Sequence, residues 1–261
     1  MRVVGIDTSS ATASVALLED EQLIAERCHP GSIAGHAAGL AGFKSNHAAI
    51  LIPLIESVVR QARASLPEVS GIALSIGPGS FTGLRIGLST VKGLAYGWGI
   101  PVAGVSTLLA QAARVGEFDG VICALLDARK NEVYAALFRK SEHGLTRLTE
   151  DLLVTAEDVI GQIRSRIGNM PCLFIGDAID RYGKRLLDSL GGGVHLYTEN
   201  SVSSCAAAVA HLGMKRFRKS ESDDLDNLVP VYLRPSEAEA KRSNLTHGKL
   251  AAKATLTKIS L

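Results

Sequence analysis

A glycine-rich loop is the segment of this sequence whose residue types and spacing come closest to ligand chemistry. Its residues, Gly77–Gly83, read GPGSFTG and lie between a predicted strand and a predicted helix. A glycine loop ahead of a helix can cradle a phosphate with backbone N–H groups. The loop lacks the Walker lysine and the GxGxxG spacing, and Ser80 or Thr82 would serve equally well as a helix N-cap. We favour a tight turn and keep Gly79 and Ser80 only as weak cofactor-binding candidates.

The first predicted β-turn, Asp7–Ser10, is the second place where a ligand could bind. A carboxylate beside hydroxyl groups can hold magnesium and phosphate, although Asp and Ser are also ordinary turn residues. Asp7 and Ser9 are therefore weak cofactor-binding candidates as well, and the overall expectation is that no cofactor is bound.

Histidine and cysteine spacing predicts no metal site. The seven histidines are His29, His36, His47, His143, His195, His211 and His247. No two of them lie three or four positions apart, as a helical ligand pair requires. The four cysteines form no CxxC pair, which favours buried thiols in a reducing cytoplasm. With no GxSxG nucleophile elbow either, the sequence predicts no catalytic residue.

The elements that would position these residues fall into two halves of similar order. Predicted strands are Arg2–Ile6, Ala13–Leu18, Gln22–Arg27, Gly71–Ile76, Ile100–Ser106, Val121–Leu126, Glu132–Arg139 and Cys172–Ile175. Predicted helices are about His47–Ala64, Gly83–Tyr96, Thr107–Val115, Ala156–Ile167, Asp180–Ser189 and Val202–Arg218, before a closing extended piece at Val229–Leu233. Each half begins with antiparallel strands and continues with alternating helices and strands, which predicts two α/β lobes.

We place the N-terminal lobe at residues 1–106, completed by about 202–235, and the second lobe at 107–201. Residues 236–261 form a basic tail, and His29–Asn46 is read as an irregular insertion. The chain carries a net charge of +2, so no strong attraction to nucleic acid or membrane follows. The N-terminus does not resemble a signal peptide, and no apolar stretch reaches the length of a membrane span. We therefore expect a soluble cytoplasmic protein.

Two predicted helices carry more apolar surface than one core contact requires. The apolar residues of the first fan across about 200°, twice the stripe that faces a core. The second carries a separate stripe of glycines, and Gly87 and Gly93 each cost about 1 kcal/mol relative to alanine inside a helix. Internal burial and a partner subunit explain these patterns about equally well. As candidate partner-facing residues we take Leu51, Leu54, Val58, Leu84, Leu88 and Val91.

Four motifs in order give the chain its resemblance to a known family. They are GIDTS at Gly5–Ser9, GPGSFTGLRIG at Gly77–Gly87, DARKNEVY at Asp127–Tyr134 and PVYLR at Pro230–Arg234. Together they resemble the TsaB (YeaZ) family of tRNA threonylcarbamoyladenosine synthesis. The resemblance implies an ASKHA (actin/Hsp70/sugar-kinase-like) fold of two lobes, each with a mixed sheet and flanking helices.

The resemblance also implies a non-catalytic subunit that is the dimerisation partner of the catalytic relative TsaD and works with the ATPase TsaE. TsaD transfers threonylcarbamoyl to the adenosine 3′ of the anticodon, so tRNA would be met only through the complex. Alone, the chain is expected to form a homodimer.

Two alternatives remain: an ASKHA-type ATPase or small-molecule kinase, and a metallopeptidase-like protein. The turn at Asp7–Ala11 contains no glycine, which disfavours the first alternative. Only His47 aligns with the histidine pair of the catalytic relative, which disfavours the second.

Overall fold

The computed structural model describes residues 1–29, 47–167, 170–197 and 204–234. Its strands are β1 (Arg2–Asp7), β2 (Ala13–Glu19), β3 (Gln22–His29), β4 (Gly71–Gly77), β5 (Val102–Ser106), β6 (Gly120–Asp127), β7 (Glu132–Ser141), β8 (Gly144–Arg147), β9 (Leu152–Thr155), β10 (Cys172–Ile175) and β11 (Val194–Leu196). Its helices are α1 (His47–Gln61), α2 (Phe81–Trp98), α3 (Thr107–Ala113), α4 (Ala156–Arg166), α5 (Ile179–Leu190) and α6 (Cys205–Phe217). The predicted tail and nearly all of the predicted insertion lie outside the described residues.

Two sheets with the same internal order organise the chain. The first runs β3-β2-β1-β4-β5, and the second runs β11-β10-β6-β7-β8 with β9 also paired to β7. In each sheet the first strand of the half is central. It pairs antiparallel with the strand that follows it directly and parallel with a strand reached through a helix. We call the first sheet with α1, α2 and α6 lobe 1, and the second sheet with α4 and α5 lobe 2.

Lobe 1 is a three-layer sandwich, which explains its nearly continuous apolar strands. Val4, Ile6 and Leu17 face α1 and α2, whereas Val3 and Leu18 face α6. A strand covered on both faces needs no polar side, so these strands lack the alternation of a half-exposed sheet. The helix α3 lies between the lobes, because Ala110 packs in the core beside α6 and Leu108 packs in a core of lobe 2.

The two lobes, each a mixed sheet with flanking helices, confirm the predicted α/β class and its two-lobed arrangement. Three short strands, β8, β9 and β11, were not predicted, because segments of three or four half-buried residues carry no clear alternation. The predicted extended piece at Val229–Leu233 forms no strand, although the Val231 N–H donates to the Ile76 carbonyl. Among the described residues, no helix is both long and apolar enough to cross a membrane.

Candidate functional site

The glycine loop packs directly on the turn that follows β1. The Ser80 N–H donates to the Ser9 carbonyl at 2.6 Å, and a Cβ placed on Gly79 would lie 2.4 Å from that same oxygen. The Ser80 hydroxyl accepts the Gly83 N–H at 3.2 Å and caps α2. The N-cap reading of Ser80 is therefore confirmed, and glycine is needed at position 79 because Ser9 occupies the space of a side chain.

Asp7 lies at the centre of this contact and is only 2% exposed. Its Oδ1 accepts both the N–H of Ser9, at 3.1 Å, and the hydroxyl of Ser9, at 2.6 Å. The Thr8 hydroxyl donates to the Gly83 carbonyl at 2.8 Å. The four weak cofactor-binding candidates, Asp7, Ser9, Gly79 and Ser80, are thus brought together. Asp7 Oδ1 accepts both donors of Ser9, and the Ser9 carbonyl accepts the Ser80 N–H, so these bonds tie the end of β1 to the start of α2. We call this arrangement the closed joint.

His47 begins α1 beside this joint. One of its ring nitrogens, Nε2, lies 3.3 Å from the Ala11 carbonyl oxygen, and the other, Nδ1, lies 3.3 Å from the position of a Cβ on Gly83. The ring therefore packs between the β1–β2 turn and α2. Within the described ranges, no three His, Cys, Asp or Glu side chains are grouped in a way that could hold a metal ion.

The glycines of α2 divide into two pairs with different surroundings. A Cβ on Gly83 would lie 2.0 Å from the Thr8 carbonyl oxygen, and one on Gly87 would lie 2.3 Å from the Thr8 hydroxyl oxygen. These two glycines permit the close approach of α2 to the β1–β2 turn. A Cβ on Gly93 or Gly97 would meet nothing within 4 Å. The close packing predicted for Gly87 is confirmed within the chain, whereas Gly93 has no such contact with the described residues.

The six candidate partner-facing residues need a correction. Leu51, Leu54, Val58, Leu84, Leu88 and Val91 are all buried inside this chain, with Leu88 the most exposed at 7%. Five of them belong to the core between α1, α2 and the lobe 1 sheet, and Leu84 lies beside Gly77 at the end of β4. These side chains therefore contribute no surface to a partner.

The outward face of α1 and α2 is formed by different residues, which we call the α1/α2 outer face. Its exposed members are Ala48, Ala49, Ile52, Glu56, Arg60 and Gln61 on α1, and Thr82, Arg85, Ser89, Gly93, Tyr96, Gly97 and Trp98 on α2. Ile52 is 41% exposed, Tyr96 60% and Trp98 47%. This face was not predicted from the sequence. Gly93 and Gly97, the C-terminal half of the predicted glycine stripe, were the feature that indicated it.

Comparisons with known proteins agree on one group of relatives. The TsaD family model, described as tRNA N6-adenosine threonylcarbamoyltransferase, matches residues 42–242. The tRNA threonylcarbamoyladenosine biosynthesis protein TsaB of Bacillus subtilis (strain 168) is 32% identical over 241 residues, covering 92% of this chain and 97% of the relative. The protein of the same name from Escherichia coli (strain K12) is 27% identical, over 92% of this chain and 98% of the relative.

A solved structure gives the same result for the fold. The solved structure of YeaZ from Pseudomonas aeruginosa superimposes with a TM-score of 0.70. The superposition covers 89% of this chain and 99% of that one, at 24% sequence identity.

Proposed function

The chain belongs to the TsaB family and so to tRNA threonylcarbamoyladenosine biosynthesis, and on that premise we propose that it is a non-catalytic subunit that pairs with a TsaD-type catalytic subunit through the α1/α2 outer face. The transfer of threonylcarbamoyl to the adenosine 3′ of the anticodon would then be carried out by the partner. In this proposal the ATPase TsaE joins the same complex, tRNA is met only through the complex, and a second copy of the chain occupies the face when TsaD is absent.

Gly93 and Gly97 are the observation that carries the proposal. Each is an exposed helical glycine, and neither approaches another described part of the chain. A glycine inside a helix costs about 1 kcal/mol relative to alanine, and nothing in the described fold offsets that cost at these two positions. A second helix that crosses α2 at this point would offset it, since glycine lets two helix backbones approach closely.

The remaining composition of the face is also that of a protein interface. Ile52, Tyr96 and Trp98 expose large apolar or aromatic groups on the same pair of helices. Aromatic residues are enriched in the buried centres of interfaces, and exposed apolar patches mark contact sites. We therefore place the centre of the contact between Ile52 and Gly93 and its aromatic end at Trp98.

The closed joint at Asp7 supports the non-catalytic part of the proposal. The Ser80 N–H, which a phosphate-binding loop would present to its ligand, is already donated to the Ser9 carbonyl. One oxygen of the Asp7 carboxylate, Oδ1, accepts both the N–H and the hydroxyl of Ser9. We expect the purified chain to show neither ATP hydrolysis nor threonylcarbamoyl transfer. Turnover that disappears in Asp7→Ala would contradict this part of the proposal.

A matched pair of glycine substitutions tests the pairing face. Gly93→Leu adds a side chain to the α1/α2 outer face, and Gly161→Leu adds the same side chain to an exposed helical position on α4. Both glycines have open space where the Cβ would go, so both variants should fold and gain helix propensity alike. Calorimetric titration with the TsaD-type protein of the same organism should show pairing lost in Gly93→Leu and kept in Gly161→Leu. Equal affinity of the two variants would place the interface elsewhere.

A further inference from the structure

The segment Leu228–Arg234, which we call the strap, passes from lobe 1 to lobe 2. It starts in lobe 1, where Leu228 is buried in the core under α1 and α2. The Val231 N–H then donates to the Ile76 carbonyl at 2.7 Å. A Cβ on Gly77 would lie 2.4 Å from the Val231 carbonyl oxygen, so the strap is pressed against the carboxyl end of β4.

The middle of the strap is fastened to the start of α2. Tyr232 packs on Phe81 with ring centroids 4.7 Å apart, and the Arg85 guanidinium carbon lies 3.9 Å from the Phe81 ring centroid. Arg85 Nε also donates to the Tyr232 hydroxyl at 3.0 Å. Two aromatic rings and a guanidinium therefore hold the strap on lobe 1 before it leaves for lobe 2.

Arg234, at the far end of the described strap, binds lobe 2. Its guanidinium donates to the Ala128 carbonyl at 2.8 Å and forms an ion pair with Glu132. Ala128 follows β6 and Glu132 begins β7, so one side chain bridges the two ends of the β6–β7 turn. Ion pairs that are partly buried and also hydrogen-bonded to backbone are the stronger kind.

The β6–β7 turn that Arg234 binds has a strained backbone. Arg129, Lys130 and Asn131 all have positive φ, at 60°, 52° and 62°, a left-handed region that side-chain-bearing residues rarely adopt. Three such residues in a row persist only when the surroundings determine them. Arg181 of α5 donates to the Asn131 side-chain oxygen at 2.7 Å, so the turn is held by Arg181 on one side and by Arg234 on the other.

We propose that the strap is an interlobe clamp, which fixes the angle between lobe 1 and lobe 2 through Arg234 and the β6–β7 turn. It joins the carboxyl ends of β4 and β6, the edges of the two sheets at which open α/β folds form their clefts. This assigns one shared role to two sequence motifs, PVYLR and DARKNEVY, that the pairing face does not use. The lobes also share α3, so with the clamp released they would pivot about that helix.

Distance measurements between the lobes test the clamp. Spin labels at Lys215→Cys on α6 and Lys184→Cys on α5 report on lobe 1 and lobe 2, since both positions are exposed and lie away from the strap. The labels are placed in a Cys28→Ser background and studied in an excess of unlabelled chain, so that a second labelled copy does not contribute. Pulsed electron resonance should give one narrow distance distribution for the otherwise unaltered chain.

Arg234→Gln should broaden that distribution or add a second, longer distance. Glu132→Gln should have a smaller effect in the same direction, because Arg234 keeps its bond to the Ala128 carbonyl. Glu142→Gln is the matched control, since its carboxylate is exposed in the β7–β8 turn and does not touch the strap.

Hydrogen exchange gives a second measurement on the same variants. The Val231 amide should exchange about tenfold faster or more in Arg234→Gln, since a charge-assisted bond that anchors the segment is lost. An interlobe distribution as narrow in Arg234→Gln and Glu132→Gln as in the control would overturn the proposal. Faster exchange at Val231 without a change in that distribution would overturn it too. Arg234 would then anchor the strap without fixing the angle between the lobes.

Discussion

The helix pair α1/α2 and the helix pair α4/α5 occupy equivalent places in the two lobes, but their exposed surfaces differ in charge. In each lobe the first helix of the pair precedes the parallel strand beside the central one, and the second helix follows it. The exposed residues of α4 and α5 are Glu157, Asp158, Gly161, Arg164, Ser165, Arg166, Asp180, Arg181, Lys184, Arg185 and Asp188. All but Gly161 and Ser165 are charged, whereas Glu56, Arg60 and Arg85 are the only charged residues among the exposed ones of α1 and α2.

This difference separates what the fold requires from what the proposed partner would require. Both pairs must bury an apolar stripe against their own sheet, and both do. The charged outer surface of α4 and α5 is the ordinary solvated side of such helices. On the α1/α2 outer face Tyr96 bonds to Asp226 within the chain, but a Cβ on Gly93 or Gly97 would meet nothing within 4 Å, and the proposed partner contact would explain these two glycines.

The largest expected effect comes from charging the inner side of α1 and α2. Leu88→Glu and Val58→Glu should each destabilise lobe 1 by about 3–5 kcal/mol, because an unpaired charge would be buried in its core. Ile52→Glu, on the outer face, should leave the fold intact. Circular dichroism with chemical denaturation measures all three. A Leu88→Glu chain of unaltered stability that fails to pair would restore the six buried residues as the interface.

Making the α1/α2 outer face resemble that of α4/α5 should abolish pairing without unfolding. Ile52→Lys combined with Ser89→Lys places two unpaired charges in the proposed contact, at a cost of several kcal/mol. We expect affinity for the TsaD-type partner to fall by about a hundredfold or more. Lys184→Ala, which removes a charge from α5, is the control and should leave the affinity unchanged. Sedimentation equilibrium of the mixtures decides between these outcomes.

A single methyl group distinguishes the two glycine pairs of α2. Gly87→Ala should destabilise the chain by about 1–3 kcal/mol, because its Cβ would overlap the Thr8 hydroxyl. Gly93→Ala should stabilise the isolated monomer by up to about 1 kcal/mol through helix propensity. Urea denaturation at low protein concentration, where pairing does not contribute, gives both values. If the two substitutions had the same sign, the division of α2 into an inner and an outer pair would be wrong.

The smallest effect concerns acid stability at the edge of lobe 1. Arg216 and the Gly104 N–H, at 2.8 and 2.7 Å from Asp223 Oδ2, hold the pKa of Asp223 below its usual value. A lowered folded-state pKa contributes stability that is present above the unfolded value and is lost as the pH falls through the folded one. Asp223→Asn should therefore cost about 1 kcal/mol near pH 7, and less below about pH 4.

Thermal unfolding across pH 2–7 measures this difference. An Asp223→Asn penalty that stays constant across the range would show that the ion pair with Arg216 does not contribute to the acid response.

Long periodic segments could be predicted from the sequence because their pattern is local. The residues of β1, β2, α1 and α2 carry runs or stripes of apolar side chains several turns or strand repeats long, and these elements lie where the pattern placed them. The closed joint at Asp7 was only partly predictable. The turn residues and the Ser80 cap follow from local chemistry, but the bond from Ser80 to Ser9 joins residues 71 positions apart.

By itself, the sequence determined the two α/β halves, the family and the presence of excess apolar surface on α1 and α2. Tertiary structure alone decided which side of that surface is internal. Periodicity gives the width of an apolar arc and not its direction, because the direction is set by a sheet whose strands are distant in the chain. Leu51 and Ile52 are adjacent in sequence and lie about 100° apart on that arc, and only the position of the sheet makes one a core residue and the other an exposed one.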